Sequence, residues 1–347
     1  TPYSKDYEDI YWHRSGAIEE KQHVFINPLI QHLSEKSFNQ QVTVCELGFG
    51  FGINCLLAAE YWRYKPIHSR LNLVSIEGHP VEKRALEKFL KQHCFYHTDN
   101  LMRQYPPPYR GQHVIWLAEN IRLLLVLKDV ESALAGLDAI VDFWFLDGFA
   151  PKNNKAMWKH SLFRKMYARS KHGASLATYT AAGQVRRDLE GAGFRTQKIA
   201  GFAGKKEMLR ANVPGKWRPT SIKIPSLTIV GAGLAGLYCA EALQKRGLEP
   251  RIINNGNGAS NIPQLAVKPQ LAVTTEARYR YSLMAFHYMK SSSGYHHTGL
   301  RWFARNNIEK TRLQKIAAHF PDTIMLQNPD GTIEVSEAGW LSFETLR

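Results

Sequence analysis

The chain has 347 residues, 44% of them hydrophobic, and 45 Lys and Arg against 30 Asp and Glu give it a formal net charge of +15. This length and composition predict a globular protein of two domains. The longest apolar run, LLLVL at 123–127, is far too short for a bilayer, and the segment TPYSKDYEDIYW has no apolar signal core, so we expect no membrane span and a cytosolic location. Four cysteines without CxxC or Cys/His spacing predict a reduced compartment and no metal site.

The first motif in the chain is a glycine-rich turn between a strand and a helix. A β-branched run at 42–44 predicts a strand that ends at Glu46, and a helical period begins at Ile53. Between them stand three glycines at alternate positions: Gly48, Gly50 and Gly52. A bare turn before a helix amino terminus is typical of a nucleotide-type site. The alternative is a glycine-rich turn that binds nothing.

Two acids flank this turn and bear on its ligand. Glu46 would repel a pyrophosphate but suits a cation such as the amino group of S-adenosylmethionine. Glu77 ends the next strand-like run, LNLVSIE, where a ribose would lie in a doubly wound sheet. The two acids together favour S-adenosylmethionine.

The segment VDFWFLDGFAPKNNKAMW at 141–158 predicts a buried strand that ends in Asp147 and passes into a loop. Asp147 would therefore lie at the carboxyl edge of the sheet, near the glycine turn. Its carboxylate can accept a proton from an amine, and Phe149 can stack on a flat ring. The alternative is that Asp147 caps the following helix.

Basic residues cluster in the middle of the chain, in the segments 159–172, 186–187 and 205–210. Each segment alone is explained by a solvated helix face. Three such segments in a strongly basic protein favour an anionic macromolecular partner, nucleic acid first.

A linker is predicted at 212–226, where three prolines separate two periodic regions. We therefore divide the chain into a first domain at 1–211 and a second at 227–347. The second domain opens with a buried-strand run at 227–230, a helix pattern at 235–246 and a further strand. The turn in this unit has the GxGxxG spacing of a dinucleotide site: Gly231, Gly233 and Gly236. Asn254 or Asn255 replaces the acid expected for the adenosine ribose, and a Rossmann-like turn without a ligand is the alternative.

Three stretches resemble one enzyme family. They are the LDGFAP segment, SLATYTAAGQVRRDLEGAGFRTQKIAGFAGKKEMLRA at 175–211 and GASNIPQLAVKPQL at 258–271. They resemble the bifunctional enzymes that make 5-methylaminomethyl-2-thiouridine in bacterial tRNA, and the likeness runs along the whole chain. The resemblance implies an α/β fold with an N-terminal Rossmann-like S-adenosylmethionine-dependent methyltransferase domain and a C-terminal FAD-binding Rossmann-type oxidoreductase domain.

The resemblance also implies roles for particular residues. The second domain would use FAD to remove the carboxymethyl group from 5-carboxymethylaminomethyluridine at the tRNA wobble position, and the first would then methylate the exposed amine. Asp147 would orient or deprotonate that amine, with Phe149 beside it, and the basic segments would bind the anticodon stem-loop. The methyl-donor site would comprise Glu46, Gly48, Gly50, Gly52, Glu77 and Glu119. The FAD site would comprise Gly231, Gly233, Gly236, Gly258, Ala259 and Ser260.

The second domain departs from the family pattern. Asn261 and Leu265 stand where the family has glycine, and the residues at 227–347 are too few for a flavin domain with its substrate subdomain. We therefore expect this domain to be truncated or to lack residues. Two other functions stay open: a tRNA-binding protein with relic nucleotide folds, or a methyltransferase acting on another acceptor. We expect a monomer.

Overall fold

The structure is a computed structural model that describes residues 2–34, 41–218, 226–256, 262–274, 276–320, 322, 324–342 and 344. The chain forms two compact units, Thr1–Ile222 and Lys223–Arg347. Part of the predicted linker, 219–225, and the predicted FAD residues Gly258, Ala259 and Ser260 lie outside the described residues.

The first unit alternates strands and helices. Helix α1 (Ala17–Lys21) continues through a π-helical turn, Gln22–Ile26, into α2 (Asn27–Ser34). A 3-10 turn, Lys155–Trp158, precedes α7 (His160–Ala168). The elements in chain order are β1 (Tyr3–Ser4), β2 (Asp9–Ile10), α1 (Ala17–Lys21), α2 (Asn27–Ser34), β3 (Gln41–Leu47), α3 (Ile53–Trp62), β4 (Arg70–Glu77), α4 (Lys83–Leu90), α5 (Thr98–Gln104), β5 (Gly111–Ala118), β6 (Ile121–Leu127), α6 (Val130–Ala135), β7 (Val141–Leu146), α7 (His160–Ala168), β8 (Ser170–Thr178), α8 (Gly183–Gly191), β9 (Arg195–Ala200) and β10 (Glu207–Asn212).

An eight-stranded sheet in the order β5-β6-β4-β3-β7-β8-β10-β9 forms the centre of this unit. The strands from β6 to β8 in that order are parallel, whereas β5 and β10 run against their neighbours. Every residue of β7 is buried, because its side chains enter core clusters on both faces of the sheet. Phe143 and Phe145 face one cluster, and Trp144 and Leu146 face the other. The predicted doubly wound α/β fold is confirmed.

The strand order reverses at β3, which pairs with β4 on one side and β7 on the other. A ligand site in an open α/β sheet lies at such a reversal, outside the carboxyl ends of the strands. Here the ends of β3 and β7 come very close. Gly48 has φ +98°, and a Cβ on it would lie 2.1 Å from the carbonyl oxygen of Asp147. The backbone at this position therefore requires glycine for two reasons, its left-handed conformation and the space.

The second unit begins with a short βαβ arrangement. Strands β11 (Thr228–Val230) and β12 (Arg251–Ile253) are parallel and are joined through α9 (Leu234–Gln244). The remaining elements are β13 (Gln264–Val267), α10 (Ala277–Met289), β14 (Tyr295–His297), β15 (Leu300–Trp302), α11 (Asn307–Ala317), β16 (Leu326–Gln327), β17 (Ile333–Val335) and β18 (Gly339–Ser342). Two three-stranded antiparallel sheets, β13-β18-β14 and β15-β17-β16, complete the unit.

The expectation of a buried strand at 227–230 is wrong. The run does form β11, but Val230 is 85% exposed, and Ile253 on β12 is 48% exposed. A parallel strand is buried when further strands and helices cover it. Within the described ranges β11 pairs with β12 alone, so this small sheet leaves apolar side chains uncovered.

Among the described residues, no helix is long and apolar enough to cross a membrane. The same residues contain no group of three or more His, Cys, Asp and Glu placed to hold a metal ion.

The close approach at Gly48 predicts that Gly48→Ala destabilises the first unit. The added Cβ meets a backbone atom in a backbone conformation that alanine disfavours, so we expect the free energy of unfolding to fall by about 3 kcal/mol. Gly204→Ala is the matched control, because Gly204 has φ +84° but no atom within 4 Å of its Cβ position. In urea unfolding, the free energy of unfolding of the control should fall by only about 1 kcal/mol. Equal losses would show that the crowding at Gly48 has no energetic effect.

Candidate active site

A cavity of about 680 Å³ opens at the carboxyl ends of β3, β4 and β7. Its size is that of a site for a small organic ligand. Five of the predicted site residues line it: Gly48, Gly50, Glu77, Asp147 and Phe149. Gly52 is the N-cap of α3 and has the left-handed conformation, φ +70°, that turns the chain into the helix. The structure thus gathers both predicted motifs of the first unit around one space.

Glu77 ends β4 and faces the glycine turn. Its carboxylate accepts hydrogen bonds from the backbone N–H of Gly50 at 3.0 Å and of His79 at 2.8 Å. Burial raises the pKa of Glu77, and these N–H groups act in the opposite direction. Glu77 therefore fixes the turn and presents an acceptor to the cavity.

Asp147 is held by an ion pair that the sequence did not suggest. Lys21 Nζ lies 2.6 and 2.9 Å from the two carboxylate oxygens, and Asn54 Nδ2 donates at 2.7 Å. Burial lowers the pKa of Lys21, but Asp147, Glu20 and Glu46 outweigh it, so the pKa is raised and the lysine stays a cation. The alternative that Asp147 caps the next helix is wrong, since Asn154 is the N-cap of the following 3-10 turn and Lys159 that of α7.

Glu46 lies beneath the glycine turn and is 2% exposed. Its oxygens accept hydrogen bonds from three side chains: Ser75 Oγ at 2.5 Å, Asn54 Nδ2 at 2.9 Å and Cys55 Sγ at 3.2 Å. Burial and the nearby Asp147 raise the pKa of Glu46 to about 7, against the effect of the three donors. Glu46 is absent from the cavity lining, so the acid that reaches the cavity from this network is Asp147.

An aromatic cover closes one side of the cavity, and it comes from the start of the chain. The ring of Tyr7 stacks on Phe149 with centroids 4.7 Å apart, and Tyr11 meets Phe149 edge-on at 5.1 Å. The Tyr7 hydroxyl contacts His79 Nδ1 at 3.0 Å, and Ala150 N–H donates to the Asp9 carboxylate at 2.8 Å. In the sequence, the only sign of this cover is the spacing of aromatic residues in KDYEDIYW at 5–12. Tertiary packing places that segment against the loop that contains Phe149.

The second glycine turn has the geometry expected of its motif. A Cβ on Gly236 would lie 2.0 Å from the carbonyl oxygen of Gly231, so glycine permits the close packing of α9 on β11. Gly233 is the N-cap of α9. Asn254, in place of the expected acid, accepts a hydrogen bond from Ala232 N–H at 3.2 Å and so supports the turn.

Comparison with known proteins yields two family models and a set of relatives. A model described as S-adenosyl-L-methionine-dependent methyltransferase matches residues 93–214, and one described as NAD(P)-binding Rossmann-like domain matches 229–307. The tRNA 5-methylaminomethyl-2-thiouridine biosynthesis bifunctional protein of Chromohalobacter salexigens is 34% identical over 92% of this chain and 50% of that protein. The protein of the same name from Marinomonas sp. is 32% identical over 98% of this chain and 56% of that protein.

The chain is similar to these bifunctional proteins along almost all of its own length. It spans about half the length of the curated relatives it matches. A crystal structure of MNMC2 from Aquifex aeolicus aligns with a TM-score of 0.48 at 21% identity, over 63% of this chain and 68% of that one, a likeness too low to carry an inference.

One residue expected from the family resemblance lies in the wrong place for the cavity. Glu119 stands in the hairpin between β5 and β6, and it is exposed. Because β6 is parallel to β4 and β5 is antiparallel to β6, this hairpin lies at the opposite edge of the sheet. Asp129, which follows β6, lines the cavity instead and caps α6 through Ser132 N–H at 2.9 Å. The sequence shows two similar strands here, and only their pairing tells which one is parallel.

The basic segments divide into internal and surface residues. Arg169 donates to the carbonyl oxygens of Ala135 and Leu137, and Lys171 pairs with Asp142 at 3.2 Å. These cations stabilise the unit. Lys159 and Lys205 line the cavity, and Lys206 is exposed. The predicted nucleic-acid surface stays a prediction, and it would use only part of the three segments.

The raised pKa of Glu46 predicts a pH-dependent stability. The unfolded chain loses this proton near pH 4.5 and the folded chain near pH 7, so the folded state binds more protons between these values and its stability falls as pH rises. Glu46→Gln should remove this fall. Between pH 5 and pH 8, the free energy of unfolding measured in urea should fall by about 2 kcal/mol more for the wild type than for the variant.

The control for this measurement is Glu87→Gln, at an exposed position of α4, which should keep the wild-type profile. Parallel profiles for wild type and Glu46→Gln would contradict the assignment of the proton to Glu46.

Proposed function

We propose that this chain modifies the wobble uridine of tRNA. The second unit, with FAD, removes the carboxymethyl group from 5-carboxymethylaminomethyl-2-thiouridine, and the first unit transfers a methyl group from S-adenosylmethionine to the exposed amine. The product is 5-methylaminomethyl-2-thiouridine, the compound in the names of the relatives. The reaction would take place in the cytoplasm, on a monomeric enzyme.

The observation that carries the proposal is the cavity at the strand-order reversal, where the glycine turn, Glu77 and Asp147 meet. Glycine leaves room for a ligand at the turn, and Glu77 is placed to accept from ribose hydroxyls. Asn54 Oδ1 is buried and lacks a hydrogen-bond partner among the described residues, and Asn54 lines the same cavity. This oxygen can accept from the amino group that the sequence had assigned to Glu46. The residues present therefore fit S-adenosylmethionine.

Bound S-adenosylmethionine supplies an electrophilic methyl group, so the protein's part is to hold an unprotonated amine in line with it. Asp147 lies at the cavity wall, 15% exposed, and can accept a hydrogen bond from the amine and later its proton. Phe149 and Tyr7 both line the cavity, where an aromatic side chain would stack on or pack against a pyrimidine ring. The aromatic cover would limit the access of water to the reacting groups.

The second unit supports the flavin half through its glycine turn. Gly231, Gly233 and Gly236 form the tight turn that a pyrophosphate requires at the start of α9. FAD would supply the oxidation of the C–N bond. No further residue of this unit is assigned to that step.

The test is nucleoside mass spectrometry on tRNA that carries either 5-carboxymethylaminomethyl-2-thiouridine or 5-aminomethyl-2-thiouridine, with and without S-adenosylmethionine. Conversion of both supports the full proposal. Methylation of the aminomethyl form alone supports the first unit and contradicts the second. Conversion of neither, without binding of S-adenosylmethionine, supports a tRNA-binding protein with relic nucleotide folds.

Asp147→Asn should lower methyl transfer to the aminomethyl form by about a hundredfold or more, because the amide accepts no proton. Affinity for S-adenosylmethionine, measured by calorimetry, should be unchanged. The variant also leaves Lys21 without its partner, so part of the loss can come from destabilisation.

Asp142→Asn separates these two causes. Asp142 is a buried acid that pairs with Lys171 and lies near the start of β7, whereas Asp147 follows the end of that strand. It should lose stability as Asp147→Asn does, but keep methyl transfer. Normal turnover by Asp147→Asn would remove Asp147 from its proposed role.

Affinity for tRNA should fall steeply with salt, since phosphate contacts release counterions. Between about 50 and 200 mM salt we expect a loss on the order of 10² to 10³ in filter binding. Lys206→Gln, in an exposed part of the basic segments, should lower the slope of log affinity against log salt by about one. Lys91→Gln, on an exposed surface outside those segments, should leave it unchanged. A flat salt response would contradict the predicted tRNA surface.

A further inference from the structure

Lys21 is a buried cation at the edge of the cavity. It ends α1, just before the π-helical turn, and its side chain is 8% exposed. Its ammonium group bonds both oxygens of Asp147 and lies 5.4 Å from the ring centroid of Phe25. A buried lysine carries a large desolvation cost, so its position here calls for a function or an unusually good partner.

The charges around Lys21 come from several elements. Glu20 on its own helix, Glu46 on β3 and Asp147 after β7 attract the ammonium. Glu20 also interacts with Lys205 of the β9–β10 loop, and Tyr179, after β8, faces Asp147, Asp9 and Glu20. These surroundings keep Lys21 protonated, so it cannot act as a base.

A carboxylate alone would be a poor neighbour for the reaction proposed above. A negative charge beside an amine stabilises the ammonium form and raises the pKa of the amine. The ammonium form has no lone pair and cannot attack a methyl group. Asp147 without Lys21 would therefore bind the amine in its unreactive form.

We propose that Lys21 is a positioning residue that balances the charge of Asp147, so that the amine binds in its neutral, nucleophilic form. The like charge of Lys21 disfavours an ammonium in the cavity, and the ion pair still leaves Asp147 as a hydrogen-bond acceptor that orients the amine. This inference rests on the proposed methyl transfer to an amine.

The lone pair of the neutral amine forms the N–C bond, while the C–S bond of the methyl donor breaks and its electron pair stays on sulfur. The product nitrogen then carries one positive charge and loses a proton to Asp147 and from there to solvent. Lys21 neither gives nor takes a proton.

The experiment is the pH dependence of single-turnover methyl transfer by the full chain, with saturating S-adenosylmethionine and tRNA carrying 5-aminomethyl-2-thiouridine. In the wild type the rate should rise with pH as the bound amine loses its proton. In Lys21→Gln this rise should move upward by about one pH unit, so that the rate at pH 7 falls about tenfold and recovers at alkaline pH. Lys21→Arg retains a cation and should keep the wild-type position of the rise.

Lys171→Gln is the matched control, because Lys171 is also a buried lysine paired with an acid, and its side chain is 14% exposed. It should leave the pH profile unchanged. If Lys21→Gln does not fold, Lys21→Met, which keeps the apolar stem, replaces it. A profile that Lys21→Gln or Lys21→Met lowers equally at every pH would overturn the inference. Failure of the proposed function is a different result, since the wild type itself would then not methylate the aminomethyl tRNA.

Discussion

The first unit depends on how closely the ends of β3 and β7 approach each other. Gly48 donates its N–H to the carbonyl oxygen of Ile76 at 2.9 Å, and Asp147 N–H donates to that of Leu47 at 3.1 Å. The loops after β3 and β7 are thus each hydrogen-bonded to the end of a neighbouring strand, β4 and β3 respectively. No side chain fits between Gly48 and Asp147. This contact sets the glycine turn and the Asp147 loop side by side, and residues of both loops line the cavity.

The polar side chains below that contact form one connected network. Asn54, in the first turn of α3, donates to Glu46 and to Asp147, and Lys21 donates to both carboxylate oxygens of Asp147. The pKa of Glu46 is raised to about 7 by burial, whereas Asp147 is paired with the lysine. Glu46 is thus buried inside the fold, whereas Asp147 lines the cavity.

The two units differ in how their glycine motifs are supported. In the first, helices cover both faces of an eight-stranded sheet, and the site has a floor of buried side chains. In the second, the equivalent turn leads from β11 into α9, and the sheet of β11 and β12 leaves apolar side chains exposed among the described residues. The geometry of the second turn is nevertheless intact, because glycine at Gly236 allows local packing that needs no further strand.

Short-range patterns in the sequence specify the local elements and their chemistry. A strand, a glycine turn and a helix at 41–62 follow from short-range patterns, as does a buried strand before Asp147, because backbone conformation and side-chain period are local properties. The same information does not show that Glu119 lies at the opposite edge of the sheet or that Glu46 lies outside the cavity lining. Glu119 follows β5 and Glu46 lies within β3, and the pairing of β5 with β6 and the contact of α3 with Glu46 decide where each side chain lies.

Tertiary structure alone brought Lys21 and Tyr7 to the cavity, from positions far along the chain from Asp147 and Phe149. No spacing rule predicts such contacts, since they depend on how an amino-terminal segment folds back over a sheet built from later residues. Charge balance around Asp147 is therefore a property of the folded protein, whereas the presence of an acid at that strand end is a property of the sequence.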